Sequence, residues 1–345
     1  MSADATAEER LGARALREWI TGERNEYSRV FLVERDAATG ALEDLVGEDD
    51  VVLLHDGCGP LGGRAVTVTY SGDLNAIGDE LFLGDRGVEL QDYVAAAFIQ
   101  IVGPTVVCLD DGADWEAFFE DADIARRTGV FPSALIDPRV LLASRHAVED
   151  PDALHTPNAL RVAADGRVSV GVRGDVIGRI DDLRSALDAA LPRAVALSAI
   201  TAQSREGLAR RDWIGRYLRA TDLVKMLRLT NGSAGISGFG WVALDDGLAD
   251  AEPLSADPFL LRTADGFVLA DTVTLRRQLL SPMTATVVGA VQTSSSVAVA
   301  ADRVAREVGV SVHEASRLCD EAIAALPVHY GRHTDASSRL TGIDR

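Results

Sequence analysis

The residues with the most recognisable chemical spacing lie directly after an apolar run. Gly57, Gly59 and Gly62 match G-x-G-x-x-G, a spacing that can hold a dinucleotide or phosphate where a strand turns into a helix. The free N–H groups of the helix N-terminus would then face the phosphates. Here Pro60 and Gly63 lead instead into an alternating apolar pattern, which is typical of a strand. The sequence therefore favours a turn between two strands.

Two side chains beside this turn, and two more after a later apolar run, could together form an active site. His55 and Cys58 flank the turn, and a cysteine activated by a histidine can act as a nucleophile. Asp110 and Asp111 end a buried-type strand, where carboxylates could hold Mg²⁺. Neighbouring side chains on one turn often diverge, and both aspartates also suit helix capping. An α/β enzyme acting on a peptide or a nucleotide therefore stays as an alternative.

Other catalytic signatures do not occur in the sequence. It has no G-x-S-x-G, no P-loop and no kinase-type catalytic loop, and its six histidines show no H-E-x-x-H or tight metal spacing. The three cysteines are widely separated, with no C-x-x-C pair. We expect an accessory binding protein with no catalytic residue, no metal and no cofactor.

The apolar pattern predicts an α/β domain over residues 1–150, in which short strands alternate with helices. Within it, residues 88–102 predict a helix that stops before Gly103 and Pro104.

Residues 151–250 predict a middle region of a hairpin and helices. Its Gly/Ser-rich stretch 231–241 could be a lid, a flap that docks a partner, or a plain hairpin.

Residues 251–330 carry the most specific pattern, and residues 331–345 are predicted to be a flexible tail. The turn signal at 264–266 predicts a hairpin, and Ser281 followed by Pro282 predicts a helix start. The predicted order is three antiparallel strands and then three helices, over segments 259–262, 267–270, 273–280, 283–291, 297–308 and 312–326.

This βββααα order resembles the winged-helix-like PqqD-like domain, the recognition element for ribosomally synthesised and post-translationally modified peptides (RiPPs). Residues 279–291, Leu-Leu-Ser-Pro-Met-Thr-Ala-Thr-Val-Val-Gly-Ala-Val, look like that family's junction between strand and helix. Residues 297–326 are similar to its last two helices. Over its full length the chain resembles the recognition proteins of daptide-type RiPP clusters. The resemblance implies a protein that presents a precursor peptide to tailoring enzymes such as a dehydrogenase or decarboxylase.

The resemblance also implies a binding site, because in the family the leader peptide lies between the third strand and the third helix and adds to the sheet as a strand. Carried onto this chain, the strand is about 275–279 and the helix about 312–322. Arginines on these elements could pair with leader carboxylates, or they could simply form a solvated face. The implied peptide-binding residues are Leu275, Arg276, Arg277, Gln278, Leu279, Val312, Ala315, Ser316, Arg317, Cys319 and Ala322.

The charge of the chain limits its partners. The 345 residues include 34 Lys and Arg against 53 Asp and Glu, which gives a net charge of −19. Such a chain repels nucleic-acid phosphates and anionic lipid. Residues 257–326 hold six arginines and eight acidic residues without a basic stripe, so a winged-helix transcriptional regulator is only an alternative. With no signal-peptide pattern and no long apolar run, we expect a cytoplasmic protein that binds neither nucleic acid nor membrane.

Overall fold

The computed structural model describes residues 3–197 and 200–333. It divides into two compact units. The first takes in the described residues up to Phe119 and those of Ser133–Asp212, and the second takes in Glu120–Pro132 and the described residues from Trp213 onward. The chain is a mixed α/β protein with a large sheet in its first unit and helices near its C-terminal end.

The strands of the first unit are β1 (Arg29–Val33), β2 (Asp50–His55), β3 (Val66–Gly72), β4 (Glu80–Leu83), β5 (Arg86–Asp92), β6 (Thr105–Cys108), β7 (Val140–Leu142), β8 (Leu154–His155), β9 (Ala159–Val162), β10 (Arg167–Val170), β11 (Val176–Arg179) and β12 (Leu191–Pro192). Its helices are α1 (Ala3–Thr21), α2 (Gly40–Glu43), α3 (Tyr93–Ala96), α4 (Gly112–Thr128, which ends in the second unit), α5 (Ser133–Ile136), α6 (Arg145–Glu149), α7 (Leu183–Asp188) and α8 (Ala202–Ala209). Short 3-10 helices lie at Ile180–Asp182 and Arg193–Ala196.

Ten of these strands form one mixed sheet in the order β11-β10-β9-β1-β2-β3-β4-β5-β6-β7. Strands β9, β1, β2 and β3 are mutually parallel, and β4 pairs antiparallel with both of its neighbours. The centre is covered on both faces, because Leu53 packs with Trp19 of α1 in one apolar cluster and Val52 lies in the other. Double burial explains why β1 and β2 contain continuous apolar runs in the sequence.

Two predictions about this unit have opposite outcomes. The G-x-G-x-x-G segment is confirmed as a link between strands, since coil and turn join β2 to β3. The helix predicted over 88–102 is wrong, because β5 runs to Asp92 and only a short helix, α3, follows. Val88 and Leu90 are buried while Glu89 between them is not, so the burial period is two, as in a strand.

The second unit contains α9 (Ile214–Leu227), β13 (Gly235–Ser237), β14 (Gly240–Trp241), β15 (Ala251–Glu252), β16 (Phe259–Thr263), β17 (Gly266–Ala270), β18 (Arg277–Leu280), α10 (Pro282–Gln292), α11 (Val297–Val308), α12 (Val312–Ala325) and β19 (Arg332–His333). Its main sheet has the order β14-β13-β16-β17-β18. The three strands and three helices therefore occur in the predicted order. The sheet is larger than predicted, because two strands from the Gly/Ser-rich stretch extend it beyond β16.

Serine residues begin all three C-terminal helices. The hydroxyl oxygens of Ser281, Ser296 and Ser311 accept hydrogen bonds from backbone N–H groups in the first turns of α10, α11 and α12. This satisfies donors that a helix N-terminus otherwise leaves open. The predicted start at Ser281 and Pro282 is confirmed. Apolar side chains of the three helices then form one core with Leu260 and Leu269 of the sheet.

The predicted domain limits differ from the two units. Described residues of 151–212 belong to the first unit, and those from 213 onward belong to the second. The predicted tail 331–345 includes β19, which pairs with β15, while residues 334–345 lie outside the described residues. No helix in the described part of the chain is long and apolar enough to cross a membrane.

Candidate functional site

Strand β18 is the last strand of its sheet, and no other described strand pairs with its outer side. The backbone N–H of Asp271 donates to the carbonyl of Arg276 over 2.9 Å. Because bonding alternates along an antiparallel ladder, Gln278 and Leu280 bond to β17. The N–H and C=O groups of Arg277 and Leu279 then face away from β17. These are the groups that an added strand would bond.

The loop before β18 is held by one carboxylate. Asp271 accepts hydrogen bonds from the backbone N–H of Val273 at 2.8 Å and from the Thr274 hydroxyl at 2.7 Å. Burial raises the pKa of Asp271, but the hydrogen bonds from Thr274 and Val273 and the charge of Arg219 outweigh it, so the pKa lies below its usual value. At neutral pH the loop is therefore fixed by an ionised carboxylate.

The predicted strand 275–279 begins later than expected. Leu275 has a left-handed backbone with φ of +57°, and the ladder begins only at Arg277. Leu275 and Arg276 thus lie in the loop, although both side chains are exposed beside the strand.

Large apolar side chains are exposed along this edge. Leu279 is 74% exposed and Leu275 is 65% exposed, and Val273 and Met283 are exposed on either side of them in the chain. Isolated exposed apolar residues are ordinary, but a run of them marks an interaction surface. Leu279 lies on the strand whose backbone groups face outward, Val273 and Leu275 lie in the loop before it, and Met283 lies in the first turn of α10.

Two neighbouring arginines accompany these apolar side chains. Arg276 and Arg277 are exposed, and neither has an ion-pair partner among the described residues. Arg317 on α12 instead pairs with Glu321, one turn further along the helix. In a chain of net charge −19, unpaired adjacent cations at a free edge favour a partner with carboxylates.

The predicted residues of α12 divide into two groups. Val312 and Arg317 are exposed and Ser316 is half-buried. Ala315, Cys319 and Ala322 instead lie in the core shared with α10 and α11, so they fix the helix and offer no surface to a peptide. Burial, with the neighbouring charge of Asp320, raises the pKa of the Cys319 thiol to about 11.

Helix α10 connects the two elements that were predicted to flank the peptide. It packs against β18 on one side and against α12 on another. The exposed residues of β18 and of the start of α12 are therefore positioned by the same helix.

The four residues of the alternative enzyme site do not converge. The Nδ1 atom of buried His55 accepts from Gly57 N–H at 2.8 Å, and the Cys58 thiol donates to the carbonyl of Glu34. The aspartates follow β6, four strands away from β2, which at strand spacing is roughly 19 Å. There Asp110 contacts Arg173, and Asp111 caps α4 through Ala113 and Asp114. His55, Cys58, Asp110 and Asp111 therefore do not form the convergent pocket that the alternative enzyme reading requires.

Sequence reasoning missed the central role of Asp114. Its carboxylate accepts from the backbone N–H groups of Val94, Asp110 and Asp111 at 3.0, 2.9 and 3.3 Å. Burial nevertheless raises its pKa. The side chain joins α3 to the start of α4, and the short-range sequence pattern has no signal for such a contact. In the described residues, no group of three or more His, Cys, Asp or Glu side chains could hold a metal ion.

Comparisons with models of protein families, with curated proteins and with solved structures find no match to this chain.

Proposed function

We propose that β18 binds the leader of a ribosomally synthesised precursor peptide as an added strand. The observation that carries the proposal is the free edge of β18, with the backbone groups of Arg277 and Leu279 directed outward beside exposed apolar side chains. Strand addition uses such groups, so main-chain bonds give affinity and side chains give selectivity.

The side chains beside the edge define the peptide that fits best. Leu279 and Met283 favour apolar side chains in the bound segment, because their own surface leaves water on binding. Arg276 and Arg277 favour a carboxylate near one end of the segment, since a cation without a partner gains a charge-assisted hydrogen bond there. The favoured segment is extended, partly apolar and acidic.

The order of elements supports this role. The strands β16–β18 and the helices α10–α12 follow the βββααα order that resembles a winged-helix-like PqqD-like domain. In a daptide-type pathway, the chain would be a cytoplasmic accessory protein that holds the leader while a tailoring enzyme, such as a dehydrogenase or decarboxylase, modifies the rest of the peptide. The chain itself would then need neither a metal nor a cofactor.

The decisive experiment changes one outward N–H group. Leu279→Pro removes the N–H that an added strand would use, whereas the bonds of β17 to Gln278 and Leu280 remain; proline is tolerated at such edge positions. The proposal expects a gene for a short precursor peptide beside the gene for this chain, and fluorescence anisotropy would follow the labelled leader of that peptide. We expect affinity of about micromolar or tighter for the native chain and at least a roughly ten-fold loss for Leu279→Pro.

Leu279→Ala is the matched control, because it keeps the N–H and removes only apolar surface. It should weaken binding by only about two- to five-fold. Equal losses in both variants would refute strand addition at this position, as would native affinity in the proline variant. Absence of a precursor gene beside dehydrogenase, aminotransferase and methyltransferase genes would contradict the leader as the ligand.

A further inference from the structure

A groove of about 520 Å³ lies at the opposite end of the five-stranded sheet, beside β14. This volume is in the range of small-molecule sites. The groove is separate from the edge of β18, because three strands lie between β14 and β18 in the sheet order. The residues that define its chemistry are Arg126, Gly240, Trp241, Val242, Asp245 and Arg262.

The floor of the groove is fixed by close backbone packing. Gly240 has φ of +66°, and a Cβ atom there would collide with the backbone of Thr128. A Cβ atom on Gly235 would lie 2.8 Å from Cγ of Trp241. The Trp241 ring stacks on Phe267 with 6.3 Å between ring centroids. The indole is therefore held in place before any ligand arrives, which reduces the entropy cost of binding.

Of the two arginines that line the groove, Arg126 is already neutralised by an ion pair. Arg126 pairs with Glu252, and its guanidinium lies 4.5 Å from the ring centroid of Trp213. It therefore forms part of the wall, and the pair adds no net charge to the groove.

The other two charged side chains that line the groove, Arg262 and Asp245, are both available to bind a charged ligand. Arg262 lies over Trp241 at 5.4 Å from the ring centroid, and no described carboxylate pairs with it. Asp245 is exposed and has no cationic partner among the described residues. No ion pair joins them to each other, although both line the same groove. The groove thus offers one free cation and one free anion beside the apolar surface of Trp241 and Val242.

We propose that this groove binds a small zwitterion with a large apolar side chain, either a free amino acid or a short peptide. The ligand carboxylate would meet Arg262, its ammonium group would meet Asp245, and its side chain would lie against Trp241 and Val242. A dianion such as a phosphate ester fits less well, because Arg126 is already matched by Glu252 and Asp245 repels negative charge.

Isothermal titration calorimetry on the full chain tests this with L-phenylalanine and the dipeptide L-phenylalanyl-L-leucine, which separate the two ligand sources. At least one should bind. For whichever binds, the N-acetylated form and the C-terminal amide should each bind at least about five-fold more weakly, because each lacks one charge. Failure of both probes to bind, or equal binding of the blocked forms, would overturn the proposal.

Two variants assign the charges to their partners. Arg262→Gln no longer carries the charge that meets the ligand carboxylate, so it should bind the native probe and its C-terminal amide equally. Asp245→Asn no longer carries the charge that meets the ligand ammonium group, so it should bind the native probe and its N-acetylated form equally. Both side chains are exposed, so the melting temperature should be unchanged. Arg276→Gln, at the edge of β18, is the matched control and should bind the zwitterion like the native chain. If Arg262→Gln and Asp245→Asn still prefer the native probe over its blocked forms as strongly as the native chain does, the assignment is refuted. Neither variant should alter leader binding at β18.

Discussion

His155 lies on β8, and its ring nitrogen Nδ1 is buried without a hydrogen-bond partner among the described residues. Burial lowers the pKa of His155 below 6.5, and the positive charge of Arg193 lowers it further, although a hydrogen bond with Leu191 opposes the shift. His146 and Arg24 act in the same direction as Arg193. The folded protein therefore favours the neutral ring.

This pKa shift predicts how stability depends on pH. An unfolded histidine has a pKa of about 6.5, so the unfolded chain binds the proton more readily than the folded one. The contribution of His155 is present above about pH 6.5 and is lost as the pH falls through the folded pKa. Urea unfolding of the native chain and of His155→Gln at pH 7 and pH 5 should show a smaller loss of stability in the variant. Equal losses would contradict the prediction.

The residues of α12 show what the sequence can and cannot separate at this scale. Ala315, Cys319 and Ala322 recur at helical spacing, and such a stripe is equally suited to a core or to a binding face. Only the packing of α10 and α11 against that stripe decides between them. The exposed side chains of β18 could be predicted, because the third strand of a hairpin series ends its sheet unless another segment joins it.

At the scale of elements, short-range signals predicted the order of the last three strands of the main sheet and the three C-terminal helices. A turn between β16 and β17 and a capping serine before α10 are encoded within a few residues. The pairing of β13 with β16 joins segments far apart in the chain, and no local signal specifies it. The groove beside β14 was missed for the same reason.

Gly240 and Gly247 have nearly the same backbone conformation, so substitutions at these two positions test the close approach of Gly240 to the backbone of Thr128. Gly240 and Gly247 have φ of +66° and +67°, but a Cβ atom on Gly247 would meet nothing within 4 Å. Gly247→Ala should therefore lose only about 1 kcal/mol from left-handed strain. Gly240→Ala should lose clearly more in urea unfolding, because it also collides with the backbone of Thr128. Equal losses of stability in Gly240→Ala and Gly247→Ala would show that the fold does not require this close approach.

At the scale of the whole molecule, the second unit is discontinuous in sequence. Residues 120–132 belong to it although the segments on both sides belong to the first unit. Phe131 stacks on Tyr217 with an interplanar angle of 11°, and it also contacts Phe239. The Asn231 side chain bonds both the N–H and the C=O of Phe131, at 2.9 and 2.8 Å. The Gly/Ser-rich stretch is thereby anchored at its start, which argues against a free lid.

This arrangement predicts that a residue far from the C-terminal helices in sequence stabilises the second unit. Phe131 is 2% exposed, so Phe131→Ala should cost about 3–5 kcal/mol through lost burial and a cavity. The adjacent Val130 is 47% exposed, and Val130→Ala should change stability by less than about 0.5 kcal/mol. Hydrogen exchange followed by mass spectrometry should show lost protection in α9 and in β13 of Phe131→Ala, while β1 and β2 keep theirs. A side chain stabilises most strongly the core in which it is buried. Lost protection in β1 and β2, with protection kept in α9 and β13, would therefore assign residues 120–132 to the first unit.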